Sequence, residues 1–153
     1  MSLETYTVKA CDLLDSTVRR YLEEVGAELE SAAASDSPVD NGQLKNSWDH
    51  VVTENEVTVG SPLENAIWNE FGTGVHASNG DGRKTPWYIP VEGYIGKRKP
   101  TYQGEVVVVK GKDGTEFYKT DGKMPRHTLQ HAFDQTKPLA ENRMAQLLRE
   151  KMK

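Results

Sequence analysis

The sequence predicts an α+β fold, in which antiparallel strands pack against long helices at the N-terminal and C-terminal ends. Apolar residues recur at helical spacing near both ends of the chain, and two pairs of β-rich runs between them are each joined by a short polar turn. Strands from hairpins pair antiparallel, so we expect a sheet of about four to five strands with short helices between the long ones. At 153 residues, we expect a single domain over 1–153.

The composition excludes several classes of protein. The net charge is -4, which argues against broad binding to phosphate backbones, because that mode needs clustered Lys and Arg. One cysteine, Cys11, rules out an internal disulfide and fits a reducing compartment. The N-terminus lacks the pattern of a signal peptide, and no run of about 18 apolar residues occurs, so we expect neither secretion nor a membrane span.

The first helix is predicted from Thr7 to Ala34. Its apolar residues fall on one stripe: Leu14, Val18, Leu22, Val25 and Leu29. Pro38 disfavours the α conformation at Ser37, so the helix must end before it.

A capped corner follows in "SPVDNGQLKNSW". Asp40 is placed as an N-cap, and Gln43 three residues later completes a capping box around Gly42. Val39 and Leu44 occupy the two positions of a hydrophobic staple. The stretch therefore predicts a second, short helix entered at a fixed angle.

The next segment combines a hairpin with a second corner. Val51 and Thr53, then Val57 and Val59, alternate about a turn at 54–55. In "SPLENAIWNEFG" a third helix is predicted, with four end signals: Ser61 as N-cap, Pro62 at the first position, Glu64 in the capping box and Gly72 after the last turn. Leu63, Ile67 and Phe71 share one face of it, and we assign Phe71 to the core.

Two loops and a hairpin fill the second half. Residues 73–86 are rich in Gly, Asn and Asp and are predicted to be a mobile loop, and 91–104 a second mobile loop or arm. "PWYIP" is a short strand candidate, and "EVVVVKGKDGTEFYKT" is the clearest hairpin. After Pro125 a last helix is predicted, with a kink or break at Pro138 and Thr136 as a new N-cap.

No catalytic or metal site is predicted. His127 and His131 stand at i, i+4, but no third ligand has suitable spacing, and His50, His76 and Cys11 lie on other elements. We assign cap roles to Asp40 and Glu64 and solvated positions to Asp36 and Glu70. The glycines of "GTG" and "NGDG" lack the context of phosphate-binding loops. We expect a protein that is not an enzyme and that needs no cofactor.

Basic residues with neighbouring aromatics lie in the two loops: Arg83, Lys84, Lys97, Arg98 and Lys99, near Trp87, Tyr88, Tyr94 and Tyr102. Such groups contact nucleic acid through phosphates and stacking, or they dock on an acidic protein. Because the rest of the chain is acidic, we favour solvation or protein contact.

Together these motifs resemble the small neck proteins of tailed bacteriophages, also called head-tail joining, tail-completion or minor capsid proteins. "SPVDNGQLKNSW" is similar to the family's "PVDTGxLRxS", "VTVGSPLENAIWNEFGTG" to "VGxxxxYAxxxEFGT", and "DGKMPRHTLQHAFD" to "GxxPxPFLxPAxx". "GRKTPW" is similar to a loop of some members. The sequence departs from the family at Asn41, Asn65 and 127–129, and by an apparent insertion over 88–102.

The resemblance implies a structural virion protein that forms a homo-oligomeric ring at the head-tail junction of a phage with a long non-contractile tail. Its partners would be the head-completion or connector protein and the tail-terminator or tail-tube protein, with genomic DNA passing through without sequence-specific binding. It would be located in the virion neck, and in host cytoplasm during assembly. The membrane has no role in this interpretation.

Two sets of residues follow as candidates. The interface candidates are Glu70, Phe71, Gly72, Thr73, Gly74, Arg83, Lys84, Trp87, Lys97, Arg98 and Lys99. The residues that set the corners are Pro38, Asp40, Gly42, Gln43, Ser61, Pro62, Glu64 and Pro125.

Three alternatives remain open. The chain is a small nucleic-acid-binding protein that uses the basic loops, a tail-terminator ring protein, or a metal-dependent hydrolase built on His127 and His131. The ring's copy number, six or twelve, is not fixed by the sequence.

Overall fold

The computed structural model describes residues 3–39 and 42–151, and the side chains of 11–39 and 42–150. The helices and strands are α1 (Leu3–Asp36), β1 (Asp49–Val52), β2 (Val57–Gly60), α2 (Glu64–Phe71), a 3-10 turn (Gly74–His76), β3 (Trp87–Pro90), β4 (Val107–Lys110), β5 (Glu116–Thr120) and α3 (Thr128–Lys151). The α+β class with long terminal helices is confirmed. The strands form a two-stranded and a three-stranded antiparallel sheet, so each sheet has fewer strands than the single sheet predicted.

The chain divides into two compact units. The first unit contains 1–37, 45–61 and 129–153, and the second unit contains 38–44 and 62–128. The termini 1–2 and 152–153 and the pair 40–41 lie outside the described residues.

The first unit is built on α1. The β1–β2 hairpin packs against α1, with Val52 paired to Val57 next to the predicted turn, so the predicted hairpin is confirmed. The buried apolar side chains of this unit are Leu22, Ala33, Trp48, Ala132 and Leu147. The indole N–H of Trp48 donates to Ser37 Oγ (2.6 Å), and Ser37 donates to the carbonyl of Ala33 (2.8 Å).

The helices α1 and α3 contact each other through polar groups. The Tyr21 hydroxyl donates to the carbonyl of Ala140 (3.0 Å), and Arg143 Nε donates to Glu24 (2.9 Å). The hydrogen bond from Arg143 is the main reason why the pKa of Glu24 is lowered. Burial raises the pKa of Tyr21, with a smaller contribution from Glu141.

The second unit contains the three-stranded sheet in the order β3-β5-β4. Ile89 and Val108 both pair with Tyr118, whose ring is buried in the middle of β5. At the β4–β5 turn the N–H of Gly111 donates to the carbonyl of Thr115 (2.7 Å). The predicted second hairpin and the short "WYIP" strand are therefore confirmed.

Several local predictions are wrong. α1 ends before Pro38 as predicted, but Leu14 is half exposed, and the buried positions of the helix include Thr17, Leu22, Gly26 and Ala33. The predicted short helix after Asp40 is a turn over 43–46, which directly follows Gly42 with its positive φ of 83°. The cap at Asp40 lies outside the described residues. Val39 is 68% exposed, so the hydrophobic staple is wrong as well.

The predicted helix ends also need correction. α2 begins at Glu64 with Leu63 as its N-cap, and Ser61 instead shares a hydrogen bond with the hydroxyl of Ser47 (2.7 Å). Gly72 is the C-cap, as predicted, with φ 72°. α3 runs through Pro138 without a break, and Thr136 lies buried inside it rather than at a new N-terminus.

Candidate protein-interaction surfaces

Helix α2 buries two polar residues next to Ala66 and exposes its three large apolar side chains. Asn69 and Glu70 are buried, whereas three apolar residues are exposed: Ile67 (61%), Trp68 (46%) and Phe71 (43%). We call these three residues the α2 outer face. The assignment of Phe71 to the core and of Glu70 to solvent is wrong, because the chain packs on the opposite side of the helix.

Asn69 explains why the polar side faces inward. Its amide donates to Thr128 Oγ1 (2.7 Å), and its side-chain carbonyl accepts from Lys123 Nζ (3.2 Å). The backbone carbonyl of Asn69 accepts from the N–H of Arg126 (2.7 Å). A fully buried amide is stable only with such partners, so α2 is oriented by hydrogen bonds rather than by its apolar residues.

The "EFGTG" segment is joined to residues 121–123 through backbone contacts. The N–H of Thr73 donates to the carbonyl of Lys123 (2.9 Å), and the N–H of Val75 to that of Asp121 (3.0 Å). Gly74 has φ 62°, and a Cβ there would lie 2.0 Å from the carbonyl oxygen of Asp121. A Cβ on Gly122 would lie 2.0 Å from the carbonyl oxygen of Thr73. Glycine on both sides therefore allows this close approach.

The carboxylate of Asp121 fixes a second segment at the same place. It accepts from the N–H of Gln103 (2.9 Å) and lies 3.5 Å from His76 Nε2. The hydrogen bond from Gln103 is the main cause of the lowered pKa of Asp121. Within the predicted interface segment Glu70, Gly72 and Gly74 are buried, and Phe71 presents an exposed side chain.

The loop with Arg83, Lys84 and Trp87 has several local contacts. Arg83 Nε donates to Thr85 Oγ1 (3.0 Å), and its guanidinium lies 5.7 Å from the centre of the Trp87 ring. Lys84 Nζ donates to the carbonyl of Gly80 (2.9 Å). Both cations are exposed and Trp87 is half-buried.

The arm, residues 91–104, is attached to the sheet at both ends. At one end the N–H of Val91 donates to the carbonyl of Glu116 (3.0 Å), and the Tyr94 ring meets the Tyr118 ring edge-on at 5.4 Å. At the other end Lys119 Nζ lies 3.8 Å from the centre of the Tyr102 ring. The hydroxyl of Tyr94 donates to the carbonyl of Arg98. Between these attachments Ile95 is 92% exposed, followed by exposed Lys97, Arg98 and Lys99.

Ile95 is a residue that the sequence interpretation missed. Its signal was available, since a single large apolar residue stands among glycines and cations in "YIGKRK". A large apolar side chain left in solvent is informative chiefly when it belongs to a patch with complementary surroundings.

The corner residues lie in both units. Pro38 is half-buried directly after α1, Gly42 has φ 83°, and Gln43 is exposed. Pro62 and Glu64 are exposed at the start of α2. A Cβ on Gly72 would lie 2.9 Å from Pro125 Cδ, so this proline packs against the C-cap of α2.

A charged cluster in the first unit was also missed. His50 Nδ1 lies 2.7 Å from Glu30 Oε2, and its Nε2 lies 3.5 Å from Glu23 Oε2. Its ring packs against Gly26, where a Cβ would lie 2.5 Å from His50 Cδ2. The hydrogen bond with Glu30 raises the pKa of His50, which favours an imidazolium between the two carboxylates.

The donor atoms of Glu30, Asp49 and His50 lie within 4.8 Å of one another, a spacing at which a metal ion could also be held. The contacts in the structure are those of an ion pair. The sequence did not reveal the cluster because its members are separated along the chain and meet only when the hairpin packs on α1.

The histidine pair considered for metal binding does not form one helical face. His127 precedes α3 and has φ 55°, whereas His131 lies in α3 with its Nδ1 3.3 Å from Asp36 Oδ2. Among the described residues, no helix is long and apolar enough to cross a membrane.

Residues 2–72 match the model of a family described as "Bacteriophage HK97-gp10, putative tail-component". The match covers slightly less than half of the chain, and it includes α1, the β1–β2 hairpin and α2 with its C-cap. It supports the resemblance to tailed-phage neck and tail-completion proteins. Searches of curated proteins and of solved structures gave no significant match.

Proposed function

We propose that this chain, whose residues 2–72 match a family of phage tail components, is a structural subunit of the phage neck. In this proposal it forms a homo-oligomeric ring at the head-tail junction, joins or completes the tail and lines the channel through which DNA passes. The partners are the head-completion or connector protein and the tail-terminator or tail-tube protein. The observation that carries the proposal is the family match, together with its agreement with the motifs of the sequence.

The α2 outer face supports a role in protein contact. Trp68 and Phe71 are of the residue types that dominate the central, desolvated parts of protein interfaces. They stay exposed although the opposite side of the same helix is buried and fully hydrogen-bonded. A subunit that meets neighbours on this face would bury them on assembly.

The rigid contacts of the second unit support the same role. A ring closes only if each subunit presents its contact surfaces at a fixed angle, because one heterologous interface is repeated around the ring. The close backbone approach of 73–75 to 121–123 holds α2 against the end of β5 within this unit. The mobility of 73–86 and 91–104 remains a prediction. In this proposal the two loops adjust to the neighbouring rings.

The proposal is tested by capture on phage particles. Purified chain is mixed with isolated tails and with tailless heads, and negative-stain imaging with a label on the chain locates it. We expect labelled chain at one end of the tail or at the portal vertex of the head. Label scattered at background level over both particles would contradict the proposal.

A matched pair of variants identifies the contacting face. Trp68→Ser removes an exposed aromatic residue of the α2 outer face, and Tyr88→Ser removes one of similar exposure (46% and 53%) from β3. We expect the first variant to lose capture and the second to keep it. Equal capture by both would remove the α2 outer face from the proposal.

A nucleic-acid-binding role is the alternative favoured by the exposed cations of the arm. It predicts retention on DNA at physiological salt, with a steep salt dependence that is lost when Lys97, Arg98 and Lys99 are neutralised. A tail-terminator ring is the second alternative, and it predicts capture by tails but not by tailless heads.

A further inference from the structure

The arm combines an apolar side chain with a cluster of positive charge. Ile95 is 92% exposed, and the next positions along the arm place Lys97, Arg98 and Lys99 on the surface. The backbone behind them is held by Tyr94, whose ring packs on Tyr118. The arm therefore presents one exposed apolar side chain next to a basic cluster, on a segment that Tyr94 holds to the sheet.

A groove in the first unit has the complementary character. It lies between α1 and α3, has a volume of about 420 Å³, and its apolar lining residues are Val25 of α1 and Leu139 and Ala140 of α3. Leu139 is 57% exposed, so this side of the groove is open to solvent. Glu24 and Glu28 line it on the α1 side.

The charge of the groove is negative. Glu24 is paired with two arginines, Arg143 of α3 and Arg20 of α1, so the remaining negative charge among the lining residues is that of the exposed Glu28. Along the whole of α1, residues 11–36 contain seven Asp or Glu and two Arg, of which Glu23 and Glu30 lie against His50 and Asp36 against His131. Such a surface attracts a cluster of three cations and disfavours a second acidic one.

We infer that the arm of one copy docks in the α1–α3 groove of a second copy, with Ile95 against Leu139 and the arm's cations facing Glu28. This inference rests on the proposed function, because it supplies the interface by which copies join in a ring. The two surfaces differ, so the contact is heterologous and can be repeated from copy to copy until a ring closes.

Disulfide capture between two different chains tests the contact. Both chains carry Cys11→Ser; one carries Ile95→Cys and the other, with a tag of different mass, Leu139→Cys. The chains are mixed at about 1 mM, where an interface with a Kd in that range is half occupied, and are then oxidised. We expect a heterodimer yield about tenfold above a control pair, since docking raises the local concentration of the thiols.

The control pair replaces Leu139→Cys by Val51→Cys, a site of similar exposure (57% and 62%) in β1 of the same unit. Circular dichroism checks that all variants fold. A heterodimer yield equal to that of the control pair would overturn the inference. The inference would also be overturned if a chain that carries both substitutions formed only an intramolecular disulfide and no dimer, because the arm would then dock in the groove of the same chain.

Charge reversal supplies an independent criterion. Lys97→Glu, Arg98→Glu and Lys99→Glu together should lower the yield to the control level, and Glu28→Lys in the second chain should restore part of it. Yields that ignore both changes would contradict the charge assignment. If no disulfide forms above the control level but the chain still binds tails or heads, the proposed interface is wrong and the neck role is kept. If the disulfide forms but the chain binds neither particle, the interface is kept and the neck role is wrong.

Discussion

Gly26 and Gly74 each let another segment approach closely, but what they meet differs. A Cβ on Gly26 would meet the imidazole of His50, a side chain that can rotate away. A Cβ on Gly74 would meet the backbone carbonyl of Asp121, which can shift only if the end of β5 shifts with it. Gly74 also has φ 62°, so it is a glycine position for two reasons. The contact in the second unit is therefore rigid, and the contact in the first unit is adjustable and charged.

The largest effect is expected from Gly74→Ala. The added methyl would need both a left-handed backbone, at about 1 kcal/mol or more, and displacement of residues 121–123. We expect the free energy of unfolding to fall by more than about 3 kcal/mol in urea denaturation.

Gly80→Ala is the matched control, since Gly80 has φ 71° but open space around its Cβ position. We expect it to lose about 1 kcal/mol, the conformational cost alone. Equal losses for the two variants would show that the close approach to Asp121 does not matter.

Gly26→Ala should have an intermediate effect. Alanine favours a helix interior over glycine by about 1 kcal/mol, but a methyl 2.5 Å from His50 Cδ2 and 2.8 Å from Val57 Cγ2 overpacks the site at a cost of about 1–3 kcal/mol. We expect a net loss of about 1 kcal/mol. In a His50→Ala background the loss should shrink by at least half, and a loss that stays unchanged would place the clash elsewhere.

The ion pairs of His50 predict a pH-dependent contribution. The folded-state pKa is raised, so the stabilisation is fully present below the unfolded pKa of histidine and is lost as the pH rises through the folded value. We expect His50→Gln to cost on the order of 1 kcal/mol at pH 5.5 and clearly less at pH 8.5. The measurement compares urea midpoints of both proteins at both pH values, and a cost that grows with pH would contradict the sign.

The smallest effect on stability is expected from Ile67→Ser on the α2 outer face. The side chain is 61% exposed, and surface substitutions change stability by about 0.5 kcal/mol or less. Capture by phage particles should nevertheless fall. A large loss of stability would mean that the α2 outer face contributes to the fold, so that it could not be treated as a surface kept for contact with other proteins.

The sequence predicted the elements whose signals are local. Pro38 ends α1, the hairpins around 54–55 and 112–114 form, and Gly72 caps α2, because turn chemistry and periodicity act over a few residues. Phe71 and Glu70 were placed on the wrong sides of α2, since the helix is oriented by the bonds of Asn69 to residues over 50 positions away. The cluster at His50 and the proximity of Gly74 to Asp121 depend on contacts of the same long-range kind. The structure gives the exposure and the local hydrogen bonds of the candidate interface residues. The proteins that these residues would contact remain predictions.

The most direct test of the central claim, that this chain is a ring-forming subunit of the phage neck, is its mass by light scattering, alone and mixed with isolated tails or tailless heads. We expect a closed oligomer of fixed copy number, formed either by the chain itself or on one of the particles. A chain that keeps the mass of a single copy, binds neither particle and elutes with nucleic acid would exclude the neck role and would favour a role of the basic arm in binding DNA or RNA.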